Sequence, residues 1–391
     1  MRTNCPNCGA TETPELFYEH LNLPIHSCLL VATVDEAVNF PTGDLRLAYC
    51  RFCGFIWNVD FQPELMRYSA AYEETQVFSA HFREFQSALV NRWVDRYGLR
   101  NRQVLEIGCG KGDFLLELCE RGHNIGLGID PSYRPDRHEP KALQRAVFAT
   151  ELYNEAHTDQ KCDFICCRHT LEHICDVREF MKLVQRHTDG AGHAIVAFEL
   201  PDVERVLTEQ AFWDIYYEHC SYFSLGSLGR LFRSINLEIL DLYKEFDEQY
   251  LIVEAQPAKA TPRPHAAEEA LEQLASTVQE FKSSITSRLD HWNRYVREHH
   301  AAGRRVAVWG SGSKAVAFLN RLDLRKEVAA VIDINPHKHG KFLAGTGHQI
   351  VSPQSLRTDR PDVVIAMNPA YLQEIRNDLL QMDIHASVVA L

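Results

Sequence analysis

The chain has 391 residues, of which 45% are hydrophobic and 24% are charged, and these proportions are typical of a folded globular protein. A length of this size predicts two or three domains. The formal charge of −12 argues against nucleic acid as a partner, because that binding depends on Lys and Arg. The sequence has neither an apolar run of membrane length nor a secretory signal, so we expect a cytoplasmic protein that does not enter membranes.

Residues 1–62 contain two Cys-x-x-Cys-Gly units and predict a zinc-binding lobe. Each unit brings two thiolates onto one tight turn, and four thiolates complete a closed tetrahedral site. Such a site predicts structural zinc rather than catalysis, and the alternative is four unrelated buried thiols. The polar stretch between the two units predicts an irregular segment. The predicted ligands are Cys5, Cys8, Cys50 and Cys53.

Residues 63–257 begin with a helical approach and then alternate strands with helices. This alternation predicts a doubly wound, mostly parallel α/β sheet. A closing hairpin with an antiparallel last strand is typical of methyltransferases rather than dehydrogenases. The predicted strands are 103–107, 124–130, 162–167 and 193–199, and the predicted hairpin comprises 238–243 and 250–255.

A glycine loop follows the first strand of this sheet, in the sequence VLEIGCGKG. Glycines at alternate positions let the backbone approach a ligand, and the next helix points its N-terminus at that ligand. Asp130 ends the following strand, where an acid accepts hydrogen bonds from ribose hydroxyls. The loop predicts an S-adenosylmethionine site formed with Glu106, Gly108, Gly110 and Gly112, and the alternative is a dinucleotide fold with an unusual loop.

The strand 162–167 continues into a segment that begins at Arg168 and ends at His173. In methyltransferases a loop at this point closes over the methionine part of the cofactor. We therefore expect Arg168 to contact the cofactor and His173 to take part in catalysis. His169 is a weaker candidate, and both histidines are also compatible with an ordinary loop.

An aromatic segment rich in ionisable groups follows the fourth strand. Methyl transfer to carbon or to an alcohol needs a base, and histidine suits this role near neutral pH when a carboxylate orients it. His219 is the candidate base, with Glu218 and Tyr216 assisting it. Tyr217 and Tyr222 are candidates for holding substrate hydroxyls. The alternative is an aromatic cap over the sheet.

Residues 258–302 predict a proline-rich linker and a long helix from about 266 to 301, and residues 303–391 form a second α/β block. This block has a strand, a glycine turn with Gly310 and Gly312, and an acid, Asp333, at the end of its second strand. The pattern predicts a Rossmann-like domain that holds a second cofactor or the nucleotide part of a substrate. Lys314 adds a candidate phosphate contact, and a purely structural role is the alternative.

The order of these modules resembles the bacterial deoxysugar C-methyltransferase family, typified by 3-C-methylation of the keto sugar of tetronitrose. The resemblance covers essentially the whole chain, from the zinc lobe through the Tyr-x-Glu-His motif to the C-terminal domain. It implies a class I methyltransferase sheet, with substrate in a cleft between the domains. It also implies a reaction in which His219 removes a proton next to a ketone and the enolate carbon takes the methyl group.

The resemblance implies specific residues as well. Zinc is expected at the four cysteines named above, and Glu218 and Tyr216 are expected to assist His219. The residues expected to contact S-adenosylmethionine are Tyr72, Gly108, Gly110 and Asp130. One segment departs from the family pattern, because Leu23–Leu30 reads LPIHSCLL where the family has a Gln-Pro-Leu-Ala-Asn-like stretch.

That departure lies in a segment that faces substrate in the family, so two further hypotheses stay open. One is an O- or N-methyltransferase of a non-sugar metabolite. The other is a non-catalytic, zinc-bearing sensor or scaffold that binds S-adenosylmethionine without transferring its methyl group. The main prediction is an enzyme acting on a small molecule, possibly a nucleotide sugar, as a monomer or homodimer.

Overall fold

A computed structural model describes residues 4–139, 142–191 and 194–391 of the chain. None of the helices in these ranges is long and apolar enough to cross a membrane. The strands are β1 (Glu15–Pro24), β2 (Thr42–Tyr49), β3 (Ile56–Asn58), β4 (Gln103–Ile107), β5 (Ile125–Ile129), β6 (Ala146–Ala149), β7 (Phe164–Arg168), β8 (Ile195–Pro201), β9 (Ser221–Tyr222), β10 (Leu237–Glu245), β11 (Tyr250–Pro257), β12 (Val306–Trp309), β13 (Val328–Ile332), β14 (Ile350–Val351), β15 (Val363–Ala366) and β16 (Ser387–Ala390). The α-helices are α1 (Val34–Val38), α2 (Ala80–Arg96), α3 (Asp113–Gly122), α4 (Val177–Ala191), α5 (Val203–Thr208), α6 (Leu225–Ser234), α7 (Leu271–Ala301), α8 (Ser313–Leu322) and α9 (Leu372–Gln381).

A seven-stranded sheet forms the centre of the molecule, with strand order β10-β11-β8-β7-β4-β5-β6. Strands β4 to β8 are parallel to one another, whereas β11 runs antiparallel to both β8 and β10. The predicted doubly wound sheet with an antiparallel last strand is thus confirmed. Strand β6 was not predicted, because four residues are too few to show an alternation. His193, in the predicted fourth strand, lies outside the described residues.

The N-terminal lobe contains a four-stranded antiparallel sheet with strand order β1-β2-β3-β9. The prediction of an irregular segment between the two cysteine pairs was therefore wrong. Strand β2 buries alternate residues, but bulges in β1 break the two-residue period along that strand. The fourth strand comes from the segment after His219, since Tyr222 pairs with Ile56. The lobe and the segment carrying the candidate base thus share one sheet.

The C-terminal sheet is parallel throughout, with strand order β14-β13-β12-β15-β16. Helix α7 connects it to the rest of the chain and begins at Leu271, a few residues later than predicted. Phe281 of α7 contacts Phe17 and Tyr18 of β1, and Trp292 contacts Phe318 of α8. One hydrophobic core therefore runs from the N-terminal lobe into the C-terminal block and crosses the predicted domain boundaries.

Contacts from α9 hold the C-terminal block against the start of α2. Glu374 accepts hydrogen bonds from Ser79 Oγ at 2.6 Å and from the Ala80 amide at 2.8 Å. A carboxylate suits this position because the first amides of a helix have no partners within the helix. Tyr371 also donates to Gln76 Oε1 at 2.7 Å. These contacts bring the C-terminal block over the central sheet, where a large cavity opens.

Candidate active site

A cavity of about 1380 Å³ lies between the central sheet, the N-terminal lobe and the C-terminal block. All three parts of the chain contribute to its wall. Most of the sequence-predicted cofactor, catalytic and substrate residues meet there, although they are spread over more than 260 positions of sequence. Those that line the cavity are Tyr72, Glu106, Gly108, Gly110, Asp130, Arg168, His173, Tyr216, His219, Gly310, Gly312, Lys314 and Asp333.

The glycine loop leaves β4 and enters α3 through a run of left-handed backbone conformations. Gly108, Gly110 and Gly112 have φ angles of 70°, 54° and 91°. Residues with a Cβ rarely adopt such angles, so the glycines are required by the turn itself. Gly110 N donates to Asp130 Oδ2 at 2.9 Å, and Ser132 N donates to Asp130 Oδ1 at 2.6 Å. The carboxylate of Asp130 is thereby held at the cavity wall.

Glu106 supplies a buried oxygen with no partner at the bottom of the same loop. Within the described part of the chain, its Oε2 atom receives no hydrogen bond. Burial raises the pKa of Glu106 to about 8, although the nearby Arg168 guanidinium opposes the shift. A ligand ammonium group satisfies such an oxygen. Together with the left-handed glycines and Asp130, this oxygen fits the amino acid and ribose groups of S-adenosylmethionine.

Arg168 faces the cavity and also forms a buried ion pair. Its guanidinium donates twice to Glu199, at 2.8 and 3.1 Å, and lies 4.1 Å from the ring centroid of Phe114. His169 Nε2 lies 2.7 Å from Glu199 Oε1, which also accepts from Arg168 Nη2. Burial by itself would raise the pKa of Glu199, but Arg168 and His169 lower it to about 2. The pair stabilises the end of β7 beside the cavity.

Tyr216 and His219 form a close pair on the cavity wall. The Tyr216 hydroxyl lies 2.9 Å from His219 Nε2. Burial lowers the pKa of His219 well below its usual range, and His173, His169 and Lys314 lower it further. The imidazole is therefore neutral, and it is the free-base form that accepts a proton.

Glu218 lies behind this pair and joins three separate segments. Its carboxylate accepts hydrogen bonds from the Tyr72 hydroxyl at 2.6 Å and from the Ser27 amide. His26 Nδ1 lies 3.6 Å from the same carboxylate, and His26 Nε2 accepts from the Arg67 amide at 3.0 Å. Since Nε2 accepts, Nδ1 carries the hydrogen that points to Glu218.

This environment keeps Glu218 ionised. Burial by itself would raise the pKa of Glu218, but His26, His173 and Tyr72 lower it below its usual range. A fully buried carboxylate is stable as an anion only when such partners surround it. Glu218 therefore orients Tyr72 and the segment around Ser27 rather than facing the cavity itself.

The four cysteines of the N-terminal lobe converge on one point. Their sulfur atoms all lie within 4.8 Å of one another. The two turns have the same backbone pattern, because Gly9 N donates to Cys5 O and Gly54 N donates to Cys50 O, at 2.9 and 2.8 Å. Four sulfurs on two matched turns fit a tetrahedral zinc ion.

The second glycine turn, in the C-terminal block, resembles the first in its hydrogen bonds. Ser311 N donates to Asp333 Oδ2 at 2.9 Å, and Asn335 N donates to Asp333 Oδ1 at 2.8 Å. Gly310 has a φ angle of 106°, and Gly312 caps α8. An aspartate thus holds the turn in both blocks. Both turns open onto the cavity.

Three candidate substrate residues have other partners. Lys314 Nζ lies 2.6 Å from Asp214 Oδ2, so its charge is already paired. Tyr217 does not line the cavity: it is fully buried, and its hydroxyl accepts from the Gln62 amide at 3.0 Å. Tyr222 is also buried away from the cavity and donates to the Tyr216 carbonyl at 3.3 Å. The geometry therefore offers no support for substrate contacts by Tyr217 or Tyr222.

Sequence reasoning missed His26, Ser27 and Glu172. His26 and Ser27 lie in the departing segment 23–30, and nothing in the spacing of that segment connects it with Glu218, 191 positions later. Glu172 precedes His173 and lines the cavity. An adjacent acid and histidine were visible there, but only the fold shows that both side chains reach the same wall.

Two family models match the chain in sequence. A methyltransferase domain matches residues 80–242, and a C-methyltransferase C-terminal domain matches residues 252–386. C-methyltransferase NovU from Streptomyces niveus is 28% identical over 367 residues, which is 88% of this chain and 85% of that protein. A ubiquinone biosynthesis O-methyltransferase from Acinetobacter baylyi is 26% identical over 110 residues, covering 26% of this chain and 46% of its own length.

Solved structures also match parts of the chain at low similarity. Magnesium protoporphyrin IX methyltransferase from Synechocystis PCC 6803, with bound SAH, has a TM-score of 0.36 and 14% identity, over 47% of this chain and 88% of its own. A SAM-dependent methyltransferase from Aquifex aeolicus has a TM-score of 0.37 and 15% identity, over 51% of this chain and 100% of its own.

The order of the two matched domains agrees with the order of the blocks seen in the structure. The relative from Streptomyces niveus extends that agreement over nearly the whole chain. The resemblance stated from the motifs is therefore confirmed. The chain is similar to C-methyltransferases over both matched domains and is an S-adenosylmethionine-dependent methyltransferase of a small molecule.

Proposed function

We propose that the enzyme methylates a carbon atom next to the ketone of a nucleotide-linked keto-deoxysugar. The observation that carries this proposal is a single cavity that joins the glycine loop, the Tyr216–His219 pair and the second glycine turn. The relationship to C-methyltransferase NovU supports carbon as the methylated atom. We retain the expectations of a cytoplasmic protein and of a monomer or homodimer as predictions.

His219 is the base in this mechanism. Its Nε2 atom takes the proton from the carbon beside the carbonyl group, and the electron pair of that C–H bond moves into the enolate. Tyr216, whose hydroxyl lies 2.9 Å from Nε2, then keeps its proton and donates a hydrogen bond to the enolate oxygen. When bound, S-adenosylmethionine supplies the electrophilic methyl group for the new carbon–carbon bond.

Other residues hold the reactants. Glu106, Asp130 and the glycine loop bind the cofactor, and Tyr72 reaches it from the N-terminal side while its hydroxyl stays on Glu218. The N-terminus of α8, beside Gly310 and Gly312, faces the sugar nucleotide, because helix N-termini favour phosphate. The four cysteines bind structural zinc.

An exchange experiment isolates the proton-removal step. In D₂O, with adenosylhomocysteine and a dTDP-4-keto-6-deoxy sugar, the enzyme should introduce deuterium at the acidic carbon without methylating it. His219→Ala should slow this exchange by at least about 100-fold, the lower range for general base catalysis, and should leave adenosylhomocysteine affinity unchanged.

The control is His385→Ala, since the His385 side chain is 80% exposed and does not line the cavity. It should exchange at the wild-type rate. Unchanged exchange in His219→Ala would exclude His219 as the base. Absence of exchange by the wild type, together with methyl transfer to a phenol or amine, would exclude the sugar proposal.

A further inference from the structure

Three side chains with metal-binding atoms converge on the cavity wall, away from the cysteine cluster. They are Glu172, His173 and His219, and one donor atom from each lies within 4.8 Å of the other two. All three line the cavity. The proposed methyl transfer assigns no task to Glu172. Its surroundings therefore call for a separate explanation.

The carboxylate of Glu172 is buried without a hydrogen-bond donor. The side chain is 3% exposed, and among the described residues neither oxygen receives a hydrogen bond. The Oε1 atom lies 3.5 Å from His169 Nδ1 and 4.0 Å from His219 Nε2. Burying an ionised carboxylate without donors is costly, and the cation beside it, His169, is shared with Glu199, so a bound metal ion would lower this cost.

His173 has the hydrogen-bond arrangement of a metal ligand. Its Nδ1 atom lies 3.1 Å from the Glu218 carbonyl oxygen and 3.0 Å from the Tyr68 hydroxyl, and a hydrogen on Nδ1 satisfies the carbonyl, which can only accept. The lone pair is then on Nε2. Histidines that bind metals typically donate their other ring hydrogen to a carbonyl or carboxylate in this way.

The donor set indicates the class of ion. Two imidazole nitrogens and one carboxylate oxygen suit Zn²⁺ or Co²⁺, whereas Mg²⁺ prefers oxygen ligands alone. Three protein ligands leave further positions open toward the cavity. The positive charge of His169 opposes a cation here, but His169 lies closer to Glu199, at 2.7 Å, than to Glu172.

We propose that Glu172, His173 and His219 form a second, inhibitory site for a divalent transition-metal ion. The inhibition rests on the proposed function, because Nε2 of His219 cannot accept a proton while it coordinates a metal. Free zinc above the amount needed for the cysteine cluster would then reversibly block methyl transfer.

The test is cobalt binding to protein whose cysteine cluster is already filled with zinc. The wild type should take up one further Co²⁺ ion per chain. The visible spectrum should be that of Co²⁺ bound by nitrogen and oxygen atoms, without the charge-transfer bands of cobalt–thiolate bonds. Glu172→Gln and His173→Ala should each weaken Co²⁺ binding by at least about tenfold, since each removes one ligand. Unchanged adenosylhomocysteine affinity shows that the variants are folded.

Two controls make the result specific. His385→Ala should bind Co²⁺ like the wild type, and excess Mg²⁺ should not displace Co²⁺. No further ion in the wild type, or equal affinity in all variants, would overturn the site. This readout needs no turnover, so it stays valid even if His219 proves not to be the base.

Inhibition is measured separately on the same proteins. Excess Zn²⁺ should inhibit wild-type methyl transfer, with recovery after mild chelation, and should inhibit any residual activity of Glu172→Gln far less. Co²⁺ binding without inhibition would overturn the blocking of His219.

Discussion

At the scale of single residues, Glu218 is the point at which three segments of the chain meet. It is fully buried, and its carboxylate contacts Tyr72, Ser27 and the ring of His26. A buried anion fixes the positions of its donors, because any donor that leaves exposes the charge to a medium that cannot solvate it. Changes to these donors should therefore alter the chemistry next to them.

Tyr72→Phe removes one donor from Glu218 and keeps the ring. A hydrogen bond to a charged group contributes about 1.5–3 kcal/mol, so kcat should fall by about 10- to 100-fold. Steady-state kinetics with the keto sugar measures the change. Tyr243→Phe is the matched control, because the Tyr243 hydroxyl also donates to a buried carboxylate, that of Glu254 at 2.8 Å, and neither residue lines the cavity. A kcat equal to that of the wild type would contradict the role of Glu218 as an anchor for Tyr72.

Glu199 should determine part of the acid stability. Its pKa is lowered from 4.5 to about 2 in the folded protein. Its contribution to the free energy of unfolding is therefore present above pH 4.5 and is lost as the pH falls toward 2. The shift corresponds to about 3 kcal/mol. Glu199→Gln should therefore be less stable than the wild type at pH 7, and the difference should shrink at low pH.

Urea unfolding between pH 3 and pH 7 tests this prediction. Glu179→Gln serves as the control, because Glu179 is 69% exposed and forms its ion pair with Lys182, which is 47% exposed. Its stability should follow the wild type at every pH. A constant difference between Glu199→Gln and the wild type over this range would show that Glu199 is not the titrating group.

At the scale of elements, the turn between β4 and α3 combines a backbone requirement with a steric one. Gly110 has a φ angle of 54°, and a Cβ atom there would lie 2.6 Å from Glu74 Oε1. Gly98 has a similar φ angle of 60°, but no atom lies within 4 Å of its Cβ position. The chain thus contains a matched pair of left-handed glycines, one at the cavity and one away from it.

Gly110→Ala and Gly98→Ala should both lose stability, by roughly 1–2 kcal/mol for the left-handed conformation. Only Gly110→Ala should also weaken adenosylhomocysteine binding, by about tenfold or more, because the loop must shift where the cofactor binds. Calorimetry measures the affinity, and thermal unfolding measures the stability. Equal affinities in the two variants would remove this loop from the cofactor site.

At the scale of the whole molecule, the cysteine cluster is coupled to the candidate base through one sheet. Strand β3 begins shortly after Cys53, and β9 begins two residues after His219. The two strands pair at Ile56–Tyr222 and Trp57–Ser221. Anything that loosens the cysteine turns therefore acts on the segment that positions Tyr216 and His219.

Removal of zinc should for this reason abolish turnover as well as lower stability. We expect chelation to lower the Tm by more than about 5 °C, because metal binding contributes directly to folding in such lobes. Added Zn²⁺ should restore both properties, whereas Mg²⁺ should not. Thermal unfolding, metal analysis and activity measure the effect. The Tm and activity of Cys50→Ala should not change when the chelator is added. Full activity of the zinc-free wild type would contradict the coupling between the cysteine cluster and the candidate base.

The sequence by itself determined the features that depend on neighbouring residues. Short spacings predict the two cysteine turns, the glycine loop and the alternation of strands and helices along the chain. Turn geometry and side-chain periodicity act over a few residues, so they are visible in the local sequence. These features were sufficient to predict the central sheet and the cofactor. They did not reveal strand β6, the three strands within residues 1–62 or the late start of α7.

Only the tertiary structure decided which side chains share the cavity. Tyr217 lies beside Tyr216 in sequence but packs into the core, where its ring meets Gly43, while His26 comes from a remote segment to reach Glu218. Glu172 likewise acquires its significance from the fold, through its approach to His219. The physical reason is that packing against residues distant in sequence sets the direction and the burial of each side chain. Such packing produces no periodic pattern in the neighbouring sequence.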